Sequence, residues 1–484
     1  MSPDVVVVGA GPNGLAAAVT MARAGLAVRV YETGPTAGGG ARTEELIQTG
    51  YLHDVCSAVH PMALASPFFR KFGLTGRVEF SVPEVSFAHP LPNAGAGIGY
   101  LDLDRTVEGL GSDGPAYRRL LEPLVNRIPG IIDLTTHELL RIPRDLPGTI
   151  AYGLRALEQG SPLWNMRFRG EAAPAMISGM AAHVVGPQPA PASAGAGLML
   201  AALAHTGGWP IPTGGSQAII DAMVADLQAH GGEVITDHRV ESLADLEPSR
   251  AVLLDVAAPA LEQLAPGKLP AGYAAALRKF KFGDAVSKVD FILSGPVPWA
   301  NPDVWQAGTV HLGGTRQQIA ASEAQVAAGQ HPDNPLVLAS QPTGFDRSRL
   351  PDGSHRHILW TYTHVPAGST VDMTQAITAQ VERYAPGFSD VVVDSKATTA
   401  AEVEQHNANY IGGDFSSGRM TMKQLLARPV LSTNPWRTPL DGVYLCSAST
   451  PPGPAVHGMC GYLAAGRALM DVFGLRLPEL GIDS

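Results

Sequence analysis

"VVVVGAGPNGLAAAV", Val5 to Val19, decides the fold. Val5 to Val8 is a continuous β-branched run, the pattern of a central parallel strand covered on both faces. Gly9, Gly11 and Gly14 follow as G-x-G-x-x-G; an Ala-rich helical stretch runs to Ala24, Gly25 turns the chain, and a second strand, "LAVRVYE", ends in Glu32. Each part has a physical role: Gly9 permits a tight turn, Gly11 lets backbone N–H groups approach a pyrophosphate, and Gly14 lets helix pack closely on strand. The helix start at Pro12 and Asn13 faces the phosphates with its partial positive charge. Glu32, eighteen residues after Gly14, is placed to accept hydrogen bonds from ribose hydroxyls. The same glycine spacing recurs at Gly109, Gly111 and Gly114, but after "LDLDRTVE" and not after an apolar strand. That copy reads as a loop between helices.

NAD and FAD share the ADP half that such a unit binds. "TGPTAGGGARTEE" then places Gly38, Gly39 and Gly40 ahead of Arg42, a side-chain-free loop with one guanidinium suited to the far side of a diphosphate. At 484 residues the chain has room for two or three domains. With 45% hydrophobic and 16% charged residues it is a sparsely charged globular protein. A formal charge of −10 without a basic run argues against a nucleic-acid groove. Three cysteines without a Cys-x-x-Cys pair suggest neither a disulfide framework nor a zinc site, so no metal is expected. They fit a reducing cytoplasm, and Asp4 ahead of the first apolar run argues against a signal peptide. "ASAGAGLMLAALA", Ala192 to Ala204, is too short to span a bilayer. It reads as a buried helix, with pocket lining or peripheral membrane contact as the alternatives.

With "GGGARTEEL", "GGWPIPTGGSQAI", "DAVSKVDFILSGPVPW" and the terminal "GVYLCSASTPPGPAVHGMCGYLAAGRAL", the chain resembles the phytoene desaturase-like branch of the FAD-dependent amine oxidase and carotenoid desaturase superfamily, in an actinobacterial-type subgroup. The resemblance implies FAD, held without a covalent bond, with Gly39, Gly40 and Arg42 on its diphosphate and Val240, at the end of a strand, against adenine. It also implies that the C-terminal segment returns to the cofactor and starts a helix beneath the isoalloxazine. Ser449, Pro452, Gly453, Val456, His457, Gly458 and Met459 would then be cofactor residues, the amides of Val456 to Met459 facing the N1 and C2 edge. Many relatives carry an acidic residue near the start of this segment, where this chain has Ser447, Ala448 and Ser449, and carotenoid desaturases commonly have proline where His457 stands.

The expected class is α/β (α+β): a Rossmann-type FAD-binding domain from 1–75, 208–280 and 430–484, interleaved with a substrate domain of mixed sheet plus helices from 76–207 and 281–429. No G-x-S-x-G elbow, His-Glu-x-x-His or redox cysteine pair is present, which removes hydrolase, zincin and disulfide reductase readings. His457 and His60 are the candidate catalytic side chains; His457 is equally readable as a packing histidine, and "HDVCSAVH", with His53, Asp54, Cys56 and His60, reads as a flavin-facing loop. Lys288 reads as a solvated or paired lysine. Trp164, Trp209 and Phe345 are compatible with an apolar pocket. The function expected is dehydrogenation or desaturation of a small apolar, isoprenoid-like substrate by hydride transfer to the flavin, with the electron acceptor unknown. The alternatives are a flavin amine oxidase, a non-redox flavin-dependent isomerase, and a flavoprotein retained for binding.

Overall fold

The strand that opens the sequence becomes the centre of a five-stranded parallel sheet, ordered Val443–Leu445, Ala251–Leu254, Val5–Val8, Val28–Tyr31, Glu233–Ile235. Val5–Val8 is buried along its whole length, as a β-branched run between two helical layers must be. The structure, a computed structural model, describes residues 2–481. The helix Pro12–Arg23 has proline in its first turn, where the missing N–H breaks no bond. A Cβ on Gly14 would overlap the carbonyl oxygen of Gly9, so helix and strand can touch only here without a side chain. The C-terminal helix Met459–Ala468 crosses Pro12–Arg23 just as closely, since a Cβ on Gly461 would run into the carbonyl of Asn13. Ala464, Ala465 and Ala468 complete that buried contact, which accounts for the small residues at this end of the chain.

The second sheet has seven strands, ordered Val392–Thr398, Ala285–Leu293, His357–Val365, Val337–Ser340, Ala307–Leu312, Val85–Pro90, Ala96–Tyr100. Its pairings are antiparallel except the parallel one between Ala307–Leu312 and Val85–Pro90. His357–Val365 spans the alternating "HILWTYTHV", yet both its faces are buried. Leu359 packs with Val289, Phe291 and the helix Thr374–Tyr384 in one core, while the other face turns into a cavity. Helices between Leu103 and Ala204 form a further layer around Tyr117, Leu120, Met176 and Leu198. Pro191–Ala204 is the buried helix that its composition predicts. Helices Leu103–Gly109 and Gly114–Val125 join through the turn Gly111–Asp113, so the second glycine repeat is a helix connection.

Two expectations are corrected. The strand expected to end near Val240 is only Glu233–Ile235, because Asp237 takes a left-handed φ of 52° and turns the chain so that the His238 amide bonds the Glu32 carbonyl. Val240 lies in the loop beyond, packed beside Tyr31 and Val8. The helix expected from Val456 begins at Met459, after Gly458 with φ 66°. Among the described residues no helix is long and apolar enough to cross a membrane.

Candidate functional site

A cavity of about 910 Å³ lies between the seven-stranded sheet and the start of the helix Pro12–Arg23. Pro12, Asn13, Gly40 and Ala41 line one end, Ala448, Pro451, Pro452 and Pro454 to His457 a long side, and Trp209, Trp360 and Tyr362 the wall beyond.

Behind this end, Gly9, Gly11, Gly14, Gly39 and Glu32 stand off the cavity wall; Glu32 Oε2 accepts from the Ala10 amide at 2.7 Å and Oε1 from the Gly34 amide at 2.8 Å. Each carboxylate oxygen keeps a further lone pair for a hydroxyl. The Asn13 amide, in the first helical turn, has no intrahelical acceptor, and Asn13 Oδ1 is buried without a partner on the cavity wall. Gly39 comes so near Gly11 that a Cβ there would sit 3.3 Å from the Gly11 Cα. An orphaned amide oxygen, one free first-turn amide, an anchored carboxylate and a side-chain-free loop fit the ADP half of FAD. Asp255 Oδ2 accepts from the Gly14 amide at 2.9 Å; burial, with the nearby Glu32 charge, pushes this carboxyl up to about 7. Arg42 does not reach the cavity as expected: its Nε donates to the Gly39 carbonyl at 3.2 Å and its guanidinium meets the His406 ring and Glu44. It braces the glycine loop from behind.

The C-terminal segment differs from expectation in detail. Ala448, Pro452, Val456 and His457 face the cavity, but Gly453, Gly458 and Met459 stand off its wall. The Ser449 hydroxyl is turned to the Ser417 carbonyl at 3.0 Å. The array of four free amides from Val456 to Met459 is not realised: the His457 amide donates to Ala455 at 3.1 Å, and the Met459 amide to His457 Nδ1 at 3.0 Å. His457 therefore caps the helix with its own ring, and burial pushes its pKa down to about 4. Cys446 and Cys460 are buried off the cavity wall, burial pushing the Cys460 thiol up to about 12. Arg428, fully buried, holds the segment in place by donating to the carbonyls of Ala448 and Ser416, each at 2.8 Å.

The sheet supplies the opposite wall. Register places Lys288 opposite Tyr362 and Asp290 opposite Trp360. Lys288 is buried, lines the cavity and is ion-paired with Asp290, the paired reading of this lysine. The Trp360 and Tyr362 rings lie 5.2 Å apart edge to face, and Phe415 adds a third ring 5.9 Å from Tyr362. The loop from His53 to His60 lines the cavity through Cys56, Ser57 and His60, held by the buried pair Asp54–Arg349 at 2.6 Å. His60 Nε2 lies 2.7 Å from the Ser216 hydroxyl, its Nδ1 is buried without a partner, and burial pushes its pKa down to about 4. Both candidate histidines are thus neutral at physiological pH. Of the aromatics singled out in the sequence, Trp209 lines the cavity and Trp164 and Phe345 do not. Sequence reasoning missed Trp360 and Tyr362 as wall residues, although the period of two in "HILWTYTHV" sets them on one face.

The pattern of the family described as flavin containing amine oxidoreductase matches residues 13–460, nearly the whole chain. The chain belongs to that family. FAD-dependent oxidoreductase chemistry of the amine-oxidase type follows from the membership. A rat protein, pyridine nucleotide-disulfide oxidoreductase domain-containing protein 2, is similar at 24% identity over 97% of this chain and 94% of its own length. Among solved structures, an oxidoreductase from Methanosarcina mazei superposes with a TM-score of 0.59 at 14% identity, covering 95% of this chain and 98% of that one. A putrescine oxidase triple mutant superposes with a TM-score of 0.63 at 15% identity, covering 98% and 99%. At such identities the two structures establish the shared fold.

Proposed function

We propose that the protein is a FAD-dependent oxidase of apolar amines. The observation that carries this reading is the wall of Lys288, Trp360, Tyr362 and Phe415 facing the C-terminal cofactor segment across an apolar cavity. Bound FAD supplies the hydride acceptor. The chain's own residues orient the substrate and tune it. Asp290 balances the charge of Lys288, so this buried wall offers a substrate cation no spare counterion; desolvation then favours the neutral amine, whose nitrogen lone pair assists loss of hydride from the adjacent carbon. Aromatic rings and aliphatic walls hold the body of the substrate and exclude water. The lining carboxylates are Glu44, beside Arg42, and Glu402, engaged in capping the helix Ala400–His406. Both already have a partner, and among the described residues no unpaired carboxylate is set aside for a second ammonium group, which favours an apolar monoamine over a diamine, although a solved neighbour is a putrescine oxidase with putrescine bound.

Among the described residues only Glu44 and Glu402 bring carboxylates to the lining, which also favours a second reading, carbon–carbon dehydrogenation of an isoprenoid-like molecule in the phytoene desaturase-like branch. Anaerobic mixing of the FAD-loaded protein with a series of apolar monoamines, diamines and isoprenoid hydrocarbons separates them. Saturable bleaching of the flavin by monoamines is the expected result. Bleaching by hydrocarbons alone establishes the second reading, and bleaching by neither class contradicts both.

A further inference from the structure

Between residues 140 and 166 the surface is unusually apolar. Ile142 is 91% exposed and Met166 75%, and Leu140, Leu146, Ile150, Leu154, Leu157 and Leu163 are all more than 40% exposed. These are eight of the seventeen large exposed hydrophobic side chains among the described residues, gathered in a short stretch of chain. Four of them lie on the helix Leu146–Gln159 at positions i, i+4, i+8 and i+11, within an arc of about 80° at 3.6 residues per turn. The opposite flank of the same helix, through Tyr152 and Ala156, lines the cavity. A helix with one apolar flank on a cavity and another in water has no globular partner for the second.

The outer stripe and the cavity are continuous. Leu157 is 58% exposed and also lines the cavity, and Met422, 45% exposed on the helix Met422–Leu426, does the same from the other lip, with Leu426 and Leu431 exposed beyond it. The segment 138–170 holds five arginines; Arg141 is paired with Asp133 and Arg167 with Glu158, which leaves Arg144 and Arg169 as the outward basic side chains. Arg144, with 83% of its side chain exposed and only a 3.7 Å approach to Asp133, precedes the stripe in the chain, and Arg169, also exposed, follows it.

We propose that this face docks on an anionic lipid bilayer, with the helix Leu146–Gln159 lying in the interface and the cavity mouth opening into the acyl layer. An in-plane helix needs an apolar flank for the lipid tails and basic residues at headgroup level, and both are present. A protein partner on the same face would seal the mouth at Leu157 and Met422, whereas a bilayer leaves it open to apolar molecules dissolved in the membrane. The buried Arg316 keeps the patch rigid by donating to Gln159 Oε1 at 3.1 Å and to the Trp164 carbonyl at 2.6 Å. The docking reading does not depend on which bond of the substrate is oxidised.

The test is co-sedimentation of the FAD-loaded full chain with vesicles of phosphatidylcholine alone and of phosphatidylcholine with phosphatidylglycerol, alongside light scattering of the protein without lipid. The expected result is binding that is strongest on the anionic vesicles. Binding should fall at least tenfold in I150E/L154E, weaken on anionic vesicles only in R144E/R169E, and stay unchanged in M470E, which puts the same charge on an exposed methionine outside the patch. Flavin content and circular dichroism equal to wild type verify that each variant is folded. Two results overturn the proposal: wild-type protein that stays in the supernatant with both vesicles, or a dimer that I150E/L154E splits without any effect on vesicle binding.

Discussion

Glu32 carries the first prediction at the residue scale. Its two oxygens already hold backbone amides of the glycine turn and of Gly34, so the carboxylate is fixed before any ribose arrives. Glu32→Ala is expected to weaken FAD retention by about 1.5–3 kcal/mol, the usual worth of a hydrogen bond to a charged group. Dialysis followed by the absorbance of retained flavin measures it, and a variant as yellow as wild type counts against the assignment. Lys288 carries the second. Removing one partner of a buried ion pair leaves the other charge uncompensated, so Lys288→Met should lower stability by about 3–5 kcal/mol while Lys288→Met with Asp290→Leu should recover much of it. Thermal unfolding of both variants distinguishes this from a solvated lysine, for which neither change would matter.

At the scale of elements, the turn from Val5–Val8 into Pro12–Arg23 was legible because local chemistry alone dictates it: β-branched residues, three spaced glycines and a terminal acid. Arg42 and His457 were less so, since their side chains are claimed by groups distant in sequence or by a cap that depends on where a helix starts. His406 meets Arg42 from 364 residues away, and no spacing rule predicts that contact. Lys288, Trp360 and Tyr362 become a wall only through the register between two strands. The anchoring of the C-terminal segment by Arg428 gives the third prediction. Arg428→Met strands several buried carbonyls, including Ala448 and Ser416, and each unsatisfied group costs about 1–3 kcal/mol. The variant should lose FAD and unfold at lower temperature. Normal flavin content with an unchanged unfolding midpoint would show that the segment holds itself in place.

On the scale of the whole molecule, buried titratable groups set the response to pH. Burial pushes His60, His89, His205 and His457 down to about 4 and His183 to about 3, against about 6.5 when unfolded. The unfolded chain therefore binds more protons below pH 6.5, and the stability from these neutral rings is lost as pH falls from 6.5 toward 4. Asp255 acts in the opposite sense: raised to about 7, it binds its proton more tightly when folded, so its contribution declines as pH rises from about 4 to 7. Five histidines outweigh one aspartate, and the unfolding midpoint should drop steeply between pH 6.5 and 4. A flat profile in calorimetry across that range would contradict the burial of these rings. The interleaved path of the chain, which brings the strands Ala251–Leu254 and Val443–Leu445 back to the first, makes the cavity a product of the whole fold and ties its integrity to global stability. The account rests on this cavity holding FAD without a covalent bond. Equilibrium dialysis of the flavin-free protein against FAD, followed by acid precipitation, tests that claim most directly. The account predicts one FAD bound per chain and all of the colour in the acid supernatant; a protein that takes up no FAD, or a pellet that stays yellow after washing, would contradict it.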